Sequence, residues 1–229
     1  VGETQNRWGW AGRWLLAAFL VGAALAVTGL WPASGLAQMV RVAAVYDGDT
    51  CRLDDGRRLR LAGIDAPETA HEGRPAQYYA AQAAADLERL TRGVPLRYVG
   101  VGPGQDRFGR LLGDLLRPDG LSVTEALLAD GAAFVFWHDD LPPERLERLL
   151  SLQRRAMAEK RGFWPRLLAL PQPGAPYVGN AASRRFHAPQ CPDAARIGRR
   201  NRVVLPTLAE AFGQGYAPAR ECTPWPQAR

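Results

Sequence analysis

The sequence predicts an α+β fold: a five-stranded β-barrel with about three helices inserted late, followed by a small C-terminal α+β module. Three observations carry this prediction. β-patterned segments joined by glycine turns fill most of the stretch from Met39 to Arg117. Helical patterns that open on proline and stop at glycine lie within and after it, and a proline-rich break then precedes a final segment of different charge.

"MVRVAAVYDGD" alternates weakly and ends in a turn, which predicts a first strand. "TCRLDDGRRLRLAGID" reads as a hairpin whose arms meet around Asp55-Gly56, a two-residue turn signal, with Leu59 and Leu61 on one face and Arg58 and Arg60 on the other. "PAQYYAAQAAADLERL", Pro75 to Leu90, predicts a helix with proline in its first turn. "VPLRYVGVG" and "GRLLGDLLR" predict two more strands, and Val123 to Ala129 a helix that stops at Gly131. Pro142 and Pro143 open a long amphipathic helix in which Leu146, Leu149, Leu150 and Gln153 recur at helical spacing until Gly162. "PRLLALPQPGAP", with four prolines, reads as a linker. Strands in this order suit a Greek-key barrel of the OB type, with a twisted open α+β sheet as the alternative.

A leader precedes the fold. After Arg7 and Arg13, an uncharged run extends from Trp14 to Trp31, followed by Pro32 and the small residues Gly35 and Ala37. That pattern predicts a signal peptide over residues 1–37, cut after Ala37, and a secreted or periplasmic protein. The alternative is retention as an inner-membrane anchor over residues 14–31, since such a run can just span a bilayer. The expected division is then 38–168 for the barrel domain, 169–176 for the linker and 177–229 for a small basic module. From Gln172 onward eight arginines face three acidic residues, a net of +5, whereas residues 38–171 balance at 19 basic and 19 acidic. A neutral domain followed by a basic one suits a polyanionic partner at the tail, or simply a soluble tail. Of the three cysteines, Cys51 shares a strand face with Leu53 and reads as a small buried hydrophobe.

Chemistry concentrates in "YDGDTCRLDDGRRLRLAGIDAPE". Asp49 follows a glycine turn at the end of the first strand and Asp65 ends the third, so in a barrel with those strands adjacent the two carboxylates meet at one rim. Hard oxygen donors without a nearby His or Cys suit Ca²⁺ or Mg²⁺ rather than zinc. Glu68 is spaced to act as a general base on a water beside the metal. Arg60 and Arg110 offer forked donors for phosphate oxygens. Asp47 and Asp106 read as turn or network residues, and His71 and His138 are isolated and receive no role.

"DGDT", "RLAGIDAPE" and "DRFGR", in this order and spacing, resemble the staphylococcal (micrococcal) nuclease family, the thermonucleases. The likeness extends from Val40 to Trp164 and includes "VTEALLADGAA" and the closing "GFW". The resemblance implies Ca²⁺ held by Asp49, Asp65 and the backbone carbonyl of Ala66, with Glu68 activating water and Arg60 and Arg110 binding phosphate. It further implies hydrolysis of DNA and RNA, single strands preferred, to 3′-phosphate products, with no protein partner, and membrane contact only if the leader is retained. Ala66 replaces a usual threonine, Phe108 a phosphate-contacting tyrosine, Trp137 another tyrosine near the substrate, and Arg107 a lysine. Arg107, Phe108 and Trp137 are therefore candidate substrate contacts with altered donors. A non-catalytic nucleic-acid-binding protein on the same barrel is the alternative function. It fits poorly, because Asp49, Asp65, Glu68, Arg60 and Arg110 are all present.

The C-terminal "YVGNAASRRFHAPQCPDAARI…GYAPARECTPW" resembles a degenerate Ada-type metal-binding module of the kind found after some secreted nucleases. His187, Cys191 and Cys222 match its ligand pattern, and Ala219 stands where a fourth ligand is expected. The incomplete set favours a Cys191–Cys222 disulfide in an oxidising compartment over a three-ligand zinc site. Arg184, Arg185, Arg199, Arg200 and Arg202 are expected to tether nucleic acid through backbone contacts.

Overall fold

The computed structural model describes residues 38–70, 73–137, 141–220, 222 and 225–226. The leader, with its expected signal or anchor, lies outside the described residues, as do His71 and His138.

The first β-run is split at Arg41 into β1 (Gln38–Val40) and β2 (Val42–Val45). Then follow β3 (Thr50–Leu53), β4 (Arg58–Leu61) and β5 (Ile64–Asp65). α1 (Ala80–Thr91) leads to β6 (Leu96–Gln105) and β7 (Leu111–Leu116). α2 (Val123–Ala129), β8 (Phe134–Val135), α3 (Pro143–Ala158) and α4 (Trp164–Leu168) complete the first part. The main sheet has the order β1-β6-β7-β4-β3-β2, and β5 pairs with β8 separately. One run of chain therefore lies at both ends of the sheet, which curls it into the OB-type barrel. Leu59 and Leu61 face the core and Arg58 faces solvent, as the alternation requires. Cys51 is fully buried, and burial with Asp47 and Asp49 nearby pushes its thiol up to about 12.

Several expected boundaries move. The hairpin loop is three residues, not two: Leu53 N–H donates to the Arg57 carbonyl at 2.8 Å, leaving Asp54, Asp55 and Gly56 outside the ladder. Gly56 there has φ +88°, the left-handed position such a loop needs. α1 starts at Ala80 rather than Pro75, because tertiary bonds hold the preceding residues. Gln77 N–H reaches the Glu68 carbonyl at 2.9 Å and Tyr78 N–H the Pro226 carbonyl at 2.7 Å. The start of the expected proline linker is helical, since α4 buries Trp164 and Leu167. Residues 169–176 carry no helix or strand.

The C-terminal part comprises β9 (Tyr177–Asn180), β10 (Arg185–His187), α5 (Pro192–Arg196), β11 (Arg202–Leu205), α6 (Leu208–Gly213) and β12 (Ala217–Pro218). Its sheet runs β11-β9-β10-β12. The described residues cluster as one compact unit. Phe134, Phe163 and Trp164 share an apolar cluster with Phe186, Phe212 and Trp225. Phe163 and Trp225 ring centroids lie 5.2 Å apart, and Trp164 and Phe212 5.0 Å. Gln153, a polar residue on the buried face of α3, bonds in both directions. Its Oε1 accepts from Val135 N–H at 2.7 Å, and its Nε2 donates to the Phe212 carbonyl at 2.6 Å. Arg202, one of the expected tethering arginines, instead donates to the carbonyls of Ala194 and Ile197 at 2.9 and 3.1 Å.

Candidate active site

The turn between β2 and β3 carries Asp49, and two glycines bring it into place. A Cβ on Gly48 would lie 2.6 Å from the Ala83 Cβ and 2.7 Å from the Ala66 Cβ, so only glycine allows this approach to α1 and the β5 exit. Gly63, at φ +86°, bends the chain out of β4 so that Asp65 turns back toward the same point. The expected adjacency of the first and third strands does not occur, because β3 lies between β2 and β4. The two carboxylates meet through loop and bend instead. Leu61 N–H donates to the Asp49 carbonyl at 2.9 Å, and Ala66 N–H to Asp49 Oδ2 at 2.9 Å. Asp47 Oδ1 accepts from Asp49 N–H at 3.0 Å, a turn contact.

Arg60 bridges the pair. Its Nη1 binds Asp49 Oδ1, and its Nη2 lies 2.8 Å from Asp65 Oδ1. Both aspartates are 2% exposed. Burial pushes the Asp49 carboxyl well above the ordinary carboxylate range; Arg60 opposes this, while Asp47 and Asp65 add to it. Burial acts on Asp65 in the same direction, but Arg60, Arg220 and Arg185 hold its carboxyl below that range. Burial also raises Glu68, with Arg220 opposing. Arg60 is thus the main arginine acting on Asp49, whereas Arg60, Arg220 and Arg185 all act on Asp65. Two buried carboxylates beside Ala66 form an all-oxygen donor set that fits a hard divalent cation.

Arg110 is held from the other side. Its Nε donates to Asp106 Oδ2 at 2.7 Å, and Asp106 Oδ1 accepts from Phe108 and Arg110 N–H, which makes Asp106 the orienting residue. Arg60, Arg110, Phe108 and Phe136 line one groove of about 330 Å³. The Phe108 ring is 67% exposed, with the guanidinium carbons of Arg107 and Arg110 at 4.8 and 5.4 Å from its centroid. Trp137 stands apart from that groove's lining, 5.9 Å from the Arg184 guanidinium.

Two residues in the site were not anticipated. Arg220 Nη2 lies 3.0 Å from Asp65 Oδ1 and 2.5 Å from Glu68 Oε1. Arg185 Nη1 lies 3.8 Å from Asp65 Oδ2, and its guanidinium rests 4.1 Å from the Phe136 ring centroid. No spacing rule links either to residue 65; the available signal was only that arginines crowd the tail. Cys191 and Cys222 form a disulfide with Cα atoms 5.5 Å apart, and His187 Nδ1 is 3.5 Å from Cys191 Sγ. Burial lowers the His187 pKa.

Comparison with known proteins matches residues 58–166 to the staphylococcal nuclease homologue family. An endonuclease described as uncharacterized in Escherichia coli O157:H7 is 35% identical over 129 residues, covering 54% of this chain and 75% of that protein. The chain belongs to the staphylococcal nuclease family. It is therefore a nuclease by family, and the thermonuclease of Staphylococcus hyicus is 30% identical over 56% of this chain and 76% of its own length. The Bacillus subtilis endonuclease YhcR aligns over a longer stretch, 26% identical over 203 residues, covering 75% of this chain and 16% of that protein.

Proposed function

We propose that this nuclease is exported through its leader, requires Ca²⁺, and hydrolyses phosphodiester bonds of DNA and RNA, single strands preferred, to 3′-phosphate products. The observation that carries the reading is the convergence of Asp49 and Asp65 on Arg60, with Glu68 in the pocket beside Asp65 and with a groove that Arg60 shares with Arg110. Asp49, Asp65 and the Ala66 carbonyl are the donors for calcium. When bound, the ion supplies Lewis-acid stabilisation of phosphate charge and makes nearby water more acidic.

The chain's residues do the rest. Glu68 takes a proton at its carboxylate from the water attacking phosphorus, and the bond to the 5′ oxygen breaks as that oxygen takes a proton from solvent to leave as a 5′-hydroxyl. Arg60 would offer its forked N–H groups to a phosphate oxygen in the groove it lines, and Arg110, aimed by Asp106, would meet the charge that builds on the phosphoryl oxygens. Phe108 presents a flat apolar face for a base, and Arg107 adds a backbone contact. The test is digestion of DNA and RNA oligonucleotides by the purified chain in Ca²⁺ and then in chelator, with end-group analysis. Calcium-dependent 3′-phosphate ends are expected. Binding without cleavage would instead support the non-catalytic reading.

A further inference from the structure

We propose that Arg220 is a positioning residue of the active site, carried in from the C-terminal segment to hold the Glu68 side chain in register with Asp65. The inference rests on the reading of Glu68 as general base and extends that site beyond the residues matched to the family.

The Glu68 backbone is already fixed: its N–H donates to Gln77 Oε1 at 2.8 Å, and its carbonyl accepts from Gln77 N–H at 2.9 Å. The side chain beyond it has three torsions, and a base must be placed to a fraction of an ångström. Arg220 Nη2 supplies that restraint by contacting Glu68 Oε1 and Asp65 Oδ1 together. A pair involving a half-exposed arginine is ordinarily weak, because two long side chains lose rotamer freedom to form it. Here the arginine's backbone is anchored on both sides. β12 pairs with β10 just before it, and Ala219 N–H donates to the Phe186 carbonyl at 2.8 Å. Just after it, Cys222 is bonded to Cys191, and Trp225 lies in the aromatic cluster with its Nε1 donating to the Tyr78 carbonyl at 3.1 Å.

The same segment shapes the space where a water would wait. Pro218, Arg220 and Trp225 close a pocket against Asp65, Ala66 and Glu68, leaving about 20 Å³. That is room for a single water molecule. A guanidinium suits the position because the two hydrogens of its Nη2 are held in one fixed plane, whereas those of an ammonium rotate freely.

The test uses the full chain, a single-stranded DNA oligonucleotide and saturating Ca²⁺. Arg220→Ala should lower kcat by roughly 10- to 100-fold with KM within about twofold. Arg220→Lys should fall between the two. Added guanidinium chloride should restore part of the lost turnover in Arg220→Ala, beyond an equal concentration of sodium chloride, and restore none in Glu68→Gln. Near-UV circular dichroism checks the fold; if the alanine variant fails it, the kcat and KM of Arg220→Lys decide. Wild-type or higher kcat in folded Arg220→Ala, a loss confined to KM, or no guanidinium-specific rescue overturns the proposal. A wild-type chain without calcium-dependent hydrolysis, or an active Glu68→Gln, defeats the reading of Glu68 itself, independently of Arg220.

Discussion

Arg220 and Asp65 stand 155 positions apart in sequence, with Nη2 3.0 Å from Oδ1. The C-terminal segment therefore reaches the candidate site as well as the shared aromatic cluster, and several measurable consequences depend on how the two parts are joined.

Glu68→Gln keeps the volume and hydrogen-bonding shape of the side chain but removes the proton acceptor. Turnover should drop by roughly 10²–10⁴-fold, while calorimetric Ca²⁺ affinity and the near-UV spectrum stay close to wild type. A variant that turns over normally would remove Glu68 from the mechanism.

Calcium should be required, with Mg²⁺ a poor substitute. Two buried carboxylates and a carbonyl, completed by water and phosphate, make an irregular shell that the larger ion tolerates, whereas Mg²⁺ demands near-octahedral order. Initial rates in each ion with a calcium-selective chelator present give the answer, and full activity in Mg²⁺ would contradict the assignment.

Arg60→Lys and Arg110→Lys should each lose most of their turnover. Arg60 serves Asp49 and Asp65 from two separate nitrogens, and Arg110 binds Asp106 through both Nε and Nη2. An ammonium reproduces neither fork. Wild-type kcat in either lysine variant is the contrary result.

Gly48→Ala should lower stability by about 1–3 kcal/mol and weaken Ca²⁺ binding in the same variant. The new methyl meets Ala83 and Ala66 below 3 Å, so α1 or the Asp49 turn must move. Thermal melts and calcium titration read both effects; unchanged values would mean that the turn is not set by this contact.

Removing residues 172–229 tests the union of the two parts. A tethering tail, as the charge distribution suggests, would come away with no change in melting temperature or in turnover on short oligonucleotides. The structure predicts the opposite. Phe163 and Trp164 lose Phe212 and Trp225, Gln153 Nε2 loses its acceptor, and large aromatics in such clusters are worth about 3–5 kcal/mol each. A lowered, broadened melt, binding of an apolar dye and loss of short-substrate turnover are expected.

The local half of this site was legible in the sequence. Asp49, Arg60, Asp65 and Glu68 lie within one hairpin and its exit, and patterns of period two and glycine turns report contacts at such range. The structure brings them together by a route other than strand adjacency: the order β2-β3-β4 cannot be read from strand counts, and the Gly63 bend turns Asp65 back toward Asp49. The start of α1 was misplaced because helix propensity in "PAQYYAAQ" is overridden by bonds from Gln77 and Tyr78 to residues distant in the chain. Asp114 and Arg145 escaped notice for a similar reason. They form a buried ion pair between β7 and α3, with Ser122 and Thr124 also bonded to the aspartate, and each residue alone reads as surface charge. Arg220 and Arg185 were visible only as net charge, because nothing local distinguishes an arginine that faces solvent from one that returns to a distant carboxylate.

The split first strand has a dynamic consequence. β1 pairs with β6 and β2 with β3, so eight consecutive residues clasp both margins of the sheet. Neither margin can fray far alone: peeling Val42–Val45 from β3 pulls on Gln38–Val40 and its hold on β6. The amides of β6 and β3 bonded to that run should therefore open as one cooperative unit and exchange with deuterium at a shared free energy, above that of a solitary edge strand.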